Sequence, residues 1–150
     1  MLTPDPSTRV SRVVRASAVY DLAVTAPFAT PWTARVVLGW LADLHDRLGL
    51  TGSLPDAGDP LMLLFANLLG SLVVIWSVVR IARPTALLGA ADTAGRLLFS
   101  LWFGYALAQD ASTTLLVFLV LEVVWGLVQG RVVGGQLLRG VRGPRRTLAP

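Results

Sequence analysis

Residues 59–81 read DPLMLLFANLLGSLVVIWSVVRI, and no charged side chain occurs between Leu61 and Val79. Wound as a helix, an apolar run of about 20 residues matches the ~30 Å hydrocarbon core of a bilayer. Asp59 followed by Pro60 supplies a helix start. The carboxylate can cap free N–H groups, and a proline at the first helical position lacks an N–H that would be unpaired anyway. The stretch therefore predicts a membrane-crossing helix over 61–81. Asn67, Ser71 and Ser77 make a weak polar stripe along it, and Gly70 permits close approach of a neighbour.

Composition extends this reading to the whole chain. Hydrophobic residues make up 54% of the 150 and charged residues only 15%, against about 25% charged in a soluble domain. Mean hydropathy is +0.65. There is room for four spans of ~20 residues and two tails. The other three segments run over about 16–41, 85–107 and 113–129. The third begins at Thr85 just after Pro84, which suits a helix start, and Ser112 is placed to cap the fourth. The first holds Pro27 and Pro31, each of which removes a backbone donor. Its 26 residues would extend about 39 Å as a helix, longer than a straight crossing needs. One kinked, tilted helix is expected there; a short amphipathic helix followed by a separate span from Pro31 is the alternative. Asp21 spoils the apolar core that a cleavable signal peptide would need.

Arginine placement sets the orientation. All 13 basic residues are Arg. Arg9, Arg12 and Arg15 precede the first span, and Arg80 and Arg83 lie between the second and third. Arg131, Arg139, Arg142, Arg145 and Arg146 follow the fourth. The other side has Arg47 among Asp43, Asp46, Asp56, Asp59 and Asp110. The positive-inside rule places both termini in the cytoplasm, which requires an even number of spans. Aromatics agree: Tyr20, Trp76 and Trp125 fall towards the cytoplasmic interface, Trp40, Trp102 and Tyr105 towards the outer one, and only Trp32 fits poorly. The expected fold is an all-α integral membrane four-helix bundle in the bacterial inner membrane. Residues 1–150 form a single domain with basic cytoplasmic tails. The tail from Arg131 onward is expected to be flexible and to lie on anionic lipid.

Several charges nevertheless fall inside the spans: Asp21, Arg35, Asp92, Arg96 and Glu122, the last being the chain's one glutamate. Each costs at least about 2.5–3.5 kcal/mol at the bilayer centre, so partners are needed. Arg96 lies 11 residues inside Leu107, and Glu122 nine residues inside Thr113. These depths are about 16 and 14 Å, on consecutive helices that a short loop holds side by side. An Arg96–Glu122 ion pair is expected, with Asp92 one turn from Arg96 on its own helix. Asp21, Thr25, Phe28, Trp32 and Arg35 share one helical face if the prolines do not rotate it. Glu122, Trp125 and Gln129 share another. With Asn67, these residues define a candidate buried polar network: Asp21, Arg35, Asn67, Asp92, Arg96 and Glu122.

Other chemistries are poorly served. The chain has no cysteine, which removes disulfides, thiolate catalysis and iron–sulfur ligation. His45 is the one histidine, and among Asp43, Asp46 and Arg47 it reads as a solvated helix end. No metal or cofactor is expected. The arginines flank apolar segments and form no basic stripe with stacking aromatics, so no nucleic-acid partner is expected. Ala66 and Gly70, Ala91 and Gly95, Ser100 and Gly104, and Gly126 and Gly130 match the small-xxx-small pattern that allows a homo-oligomer or a partner membrane protein.

The chain resembles small bacterial membrane proteins with four spans, at the level of architecture the DoxX-like proteins. The run GRLLFSLWFGYAL, Gly95 to Leu107, is similar to the Gly-Arg-Leu-Leu opening of that family. There the motif belongs to the first span, whereas here it lies in the third, and no functional residue is carried over. The expected function is a non-enzymatic accessory or assembly factor, given short loops and no catalytic motif. The alternatives are a small transporter or channel subunit using the buried charges, or a membrane enzyme acting on lipid or quinone. In the enzyme, Asp92, Glu122 or Asp21 would be acid or base and Arg35 or Arg96 would hold an anion.

Overall fold

The structure, a computed structural model, describes residues 6–141. It is all-α: α1 (Pro6–Thr25), α2 (Pro31–Arg47), α3 (Pro60–Ala82), α4 (Ala86–Ala108) and α5 (Leu115–Val141), with a 3-10 turn (Ala26–Ala29) between the first two. Helix starts follow local chemistry. Asp59 accepts from the Leu61 N–H at 2.8 Å, Thr85 from Leu88 at 3.2 Å and Thr30 from Thr33 at 3.3 Å. Each satisfies an N–H that has no partner within its helix. α5 begins at Leu115 rather than Thr113, and Ser112 Oγ accepts from the Thr114 N–H at 3.2 Å, ahead of the helix.

The first segment is two helices, not one kinked helix. Helix α1 ends at Thr25, and the chain re-enters a helix at Pro31. Two prolines four residues apart withhold two successive N–H donors, more than a kink accommodates. The freed groups find side chains: Thr33 Oγ1 donates to the Pro27 carbonyl, and Asn67 Nδ2 donates to the Phe28 carbonyl at 2.8 Å. Gly70 makes room for the break, since a Cβ there would lie 2.5 Å from the Phe28 carbonyl carbon.

The chain path stays in line across this break. Ser11 Oγ donates to the Pro84 carbonyl at 3.2 Å and Arg15 Nε to the Ile81 carbonyl at 3.2 Å. Phe28 meets Asn67 and Gly70, and Ala34 and Leu38 pack with Leu63. So α1, the turn and α2 together run antiparallel along the length of α3. Helix α1 is central, packing on α3, α4 and α5, while α4 and α5 form a close hairpin and α2 packs on α3 and the turn. Phe103 and Phe118 stack in the hairpin at 6.2 Å. At one end, Val10, Val14 and Val133 close over Gly89, where a Cβ would come within 2.7 Å of Val14. At the other, residues 51–53 pair with residues 110–113: Ser53 N donates to Asp110 O and Ser112 N to Ser53 O, both at 2.8 Å.

Polarity is inverted relative to a water-soluble domain. Arg80 and Gln129 are the largest fully buried side chains, and the apolar core is only a few small residues and two leucines. Leu64, Phe65, Leu68, Leu72 and Ile75 of α3, Leu98, Leu101 and Trp102 of α4, and Val117, Val120, Val124 and Leu127 of α5 are exposed. Two helices, α3 and residues Leu115–Arg139 of α5, are long and apolar enough to cross a membrane. Helix α5 continues to Val141, so the stretch from Arg131 is helical where a flexible tail was expected. Arg142, Arg145 and Arg146 lie outside the described residues.

Candidate functional site: a buried charge cluster

Helix α4 supplies the centre. Asp92 and Arg96 stand one turn apart on its buried face, with Arg96 Nε 3.2 Å from Asp92 Oδ2. Helix α5 brings Glu122, whose Oε2 lies 2.9 Å from Arg96 Nη1, so the ion pair expected from depth matching is present. Gly126 flanks it, where a Cβ would make ordinary van der Waals contact with Arg96 Cβ at 3.7 Å. Helix α1 brings Asp21, with Oδ1 2.6 Å from Arg96 Nη2.

Helix α3 completes the cluster with Arg80, which the arginine distribution places at the cytoplasmic side between the second and third spans. Arg80 is fully buried. Its Nη2 lies 2.6 Å from Asp21 Oδ2 and its Nη1 2.7 Å from Asp92 Oδ1. Its Cα is two residues from the end of α3. Helical side chains lean towards the helix N-terminus, and that direction carries the guanidinium back into the bundle.

Neutral groups add further hydrogen bonds, though Arg80 Nε and Gln129 Oε1 are buried without a partner among the described residues. Ser17 Oγ donates to Asp92 Oδ2 at 3.2 Å and accepts from Arg96 Nη2 at 2.8 Å. Gln129 Nε2 donates to Asp92 Oδ2 at 2.9 Å and to the Gly89 carbonyl at 2.8 Å. Trp76 Nε1 donates to Asp92 Oδ1 at 3.1 Å. Arg80 Nη2 reaches Ser77 Oγ at 3.4 Å. Aromatic faces cover the cations: Trp76 over Arg80 at 5.5 Å, and Tyr20 and Trp125 each 5.9 Å from Arg96. These three aromatics, assigned from sequence to an interfacial belt, line the cluster. The face shared by Glu122, Trp125 and Gln129 does turn inward as expected.

Two of the six candidates stand apart. Arg35 is exposed on α2 and takes no part in the cluster; the break at Pro27–Pro31 rotates its face away from that of Asp21. Asn67 is half-buried and serves the broken backbone at Phe28. In α3, Ser77 is buried but Ser71 is exposed, so the stripe expected there is interrupted. His45 is not simply solvated: it is half-buried, with Nδ1 2.8 Å from Ser112 Oγ in the loop after α4. Among the described residues no group of three His, Cys, Asp or Glu is arranged to hold a metal.

Chemically, the cluster is two guanidiniums shared among three carboxylates from four helices. Charge-assisted hydrogen bonds of this kind contribute about 1.5–3 kcal/mol each, and stranding one member costs about 3–5 kcal/mol. The arrangement therefore fixes the mutual register of α1, α3, α4 and α5. No protein-family model, curated protein or solved structure matches the chain.

Proposed function

We propose that the chain is a polytopic inner-membrane protein acting as a non-enzymatic accessory or assembly factor, its charge cluster serving as a register lock. One observation carries this reading: each charged side chain of the cluster is ion-paired inside it while the outward faces of α3, α4 and α5 are apolar. A catalytic or transport site keeps a reactive group or a path free for its substrate, whereas here Ser17 and the terminal nitrogens of both guanidiniums are held by partners within the cluster.

Under this proposal the chain crosses the membrane four times. Helix α3 and α5 are two. Helix α4 has 23 residues, about 35 Å, and its only charges, Asp92 and Arg96, are paired inside. The α1–turn–α2 path, antiparallel to α3, is the remaining crossing, broken midway. Both termini then lie in the cytoplasm with Arg9, Arg12, Arg15, Arg83, Arg131 and Arg139, positioned to bind anionic lipid. The exposed apolar faces are left for acyl chains, a second copy or a partner membrane protein.

The absence of cysteine makes a clean test possible. Single Cys residues at Asp56 and Arg83 are labelled in intact cells with a membrane-impermeant maleimide. Asp56→Cys is expected to react from outside and Arg83→Cys only after permeabilisation. The reverse pattern, or extraction of the protein by alkaline carbonate, would overturn the membrane topology. Co-purification of a stoichiometric small-molecule substrate in place of a protein partner would overturn the accessory role.

A further inference from the structure

The cluster does not balance. Asp21, Asp92 and Glu122 are three carboxylates, and Arg80 and Arg96 are two guanidiniums. These five side chains are between 0% and 14% exposed. One uncompensated negative charge in such surroundings lacks the solvation that water would give it.

The three carboxylates differ in how well they are served. Asp92 accepts from Ser17, Trp76, Arg96 and Gln129 and is ion-paired with Arg80. Asp21 takes both guanidiniums, Arg96 on Oδ1 and Arg80 on Oδ2. Glu122 has one partner, Arg96 Nη1, on one oxygen, Oε2. Its Oε1 has no hydrogen-bond partner among the described residues. It is also the most exposed of the five, at 14%. The groups facing Glu122 are Arg96 and Asp92 from α4, Asp21 and Tyr20 from α1, and Arg80 from α3 beyond them. Trp125 and Tyr20 pack together beside it at 5.6 Å.

We propose that the charge cluster is a proton-binding site, and that its one exchangeable proton is carried on Oε1 of Glu122. Binding converts the Glu122 carboxylate to a carboxylic acid, the proton coming from bulk water. Oε2 keeps its hydrogen bond from Arg96, and the cluster becomes neutral. Both oxygens of Asp21 and of Asp92 already accept from donors, so neither residue leaves an oxygen free for the proton. The lock therefore has two charge states, which differ at the Tyr20–Trp125 side and not at the Asp92 centre. This rests on the membrane reading above, which removes bulk water from around the helices.

Glu122 being the one glutamate in the chain gives a site-specific test without mutation. Cell-free synthesis with side-chain carboxyl-13C glutamate labels this residue alone. The full chain is reconstituted in bilayer nanodiscs and titrated from mildly acidic to mildly alkaline pH under infrared spectroscopy. Carbonate resistance of the same protein in native membranes reports the membrane reading separately. The expected result is one protonated-carboxyl C=O band at neutral pH, moved entirely by the 13C label and absent in Glu122→Gln. A band that ignores the label, or vanishes instead in Asp21→Asn, puts the proton elsewhere and overturns the assignment. No protonated-carboxyl band at any pH, in protein that is carbonate-resistant, overturns the proton site while leaving the membrane reading intact.

Discussion

Arg80 Nη1 sits 2.7 Å from Asp92 Oδ1, although the two residues are separated by the turn that joins α3 to α4. The contact closes that connection from within: Arg80 reaches back along α3 while Asp92 lies two turns into α4. It also makes Arg80 the bridge between Asp92 and Asp21, and hence between α4 and α1. Arg80→Gln should strand two buried carboxylates and lower stability by about 3–5 kcal/mol. Arg83→Gln, three residues on and exposed, should change it by less than about 0.5 kcal/mol. Thermal unfolding of the purified variants in detergent compares the two directly; equal effects would mean that Arg80 is not a member of the cluster.

Gly70 is the seat of the helix break. A methyl group there meets backbone atoms of Phe28 and Ala29 at 2.5–2.7 Å, and backbone cannot move aside as a side chain can. Gly70→Ala is expected to cost about 1–3 kcal/mol through overpacking. Gly104→Ala, where nothing lies within 4 Å, should instead stabilise α4 by up to about 1 kcal/mol through helix propensity. Opposite signs in melting temperature are the expected outcome.

The reach of sequence reading is clearest at these positions. The helix starts at Pro60 and near Thr85 were legible because proline and the Asp59 cap act locally. So was the Arg96–Glu122 pair, because two consecutive helices with a short loop share a depth scale. Arg80 was not, since its Cα lies at a helix end and only the direction of its side chain places the charge inside. Arg35 was misassigned for a related reason: a shared face holds only along an unbroken helix, and Pro27 and Pro31 end it. The central position of α1 had no local signal. It depends on Ser17 and Asp21 meeting α3 and α4 and on Val14 and Tyr20 meeting α5, non-local matches that periodicity does not encode.

Gln129 tests whether the neutral groups matter. Its Nε2 bridges Asp92 Oδ2 and the Gly89 carbonyl, while its Oε1 is buried without a partner among the described residues. Gln129→Leu removes both donated bonds and should cost about 1–3 kcal/mol. Gln129→Glu keeps the shape but sets a fourth carboxylate against Asp92 with no added cation, so it should be the worse of the two. A Gln129→Glu protein as stable as Gln129→Leu would show that the site admits water or a counterion.

Arg96 and Glu122 form a pair, but not an isolated one, and that asymmetry fixes what a double-mutant cycle returns. Arg96 holds Asp21, Asp92 and Glu122 together, so Arg96→Gln leaves three carboxylates with only Arg80 and should cost about 3–5 kcal/mol. Glu122→Gln leaves Arg96 with two carboxylates, and the amide can still accept from Nη1 through its oxygen. The expected cost is about 1 kcal/mol, the difference between a charge-assisted and a neutral hydrogen bond. In the double variant Asp21 and Asp92 still face a single guanidinium, so removing Glu122 recovers only part of the Arg96→Gln loss. The two effects should therefore be non-additive, with the double variant closer to Arg96→Gln than to wild type. The measurement is the midpoint of thermal unfolding for the four proteins in one detergent. Strict additivity would mean that the pair is not formed, and full rescue in the double variant would mean that Asp21 and Asp92 are satisfied without Arg96.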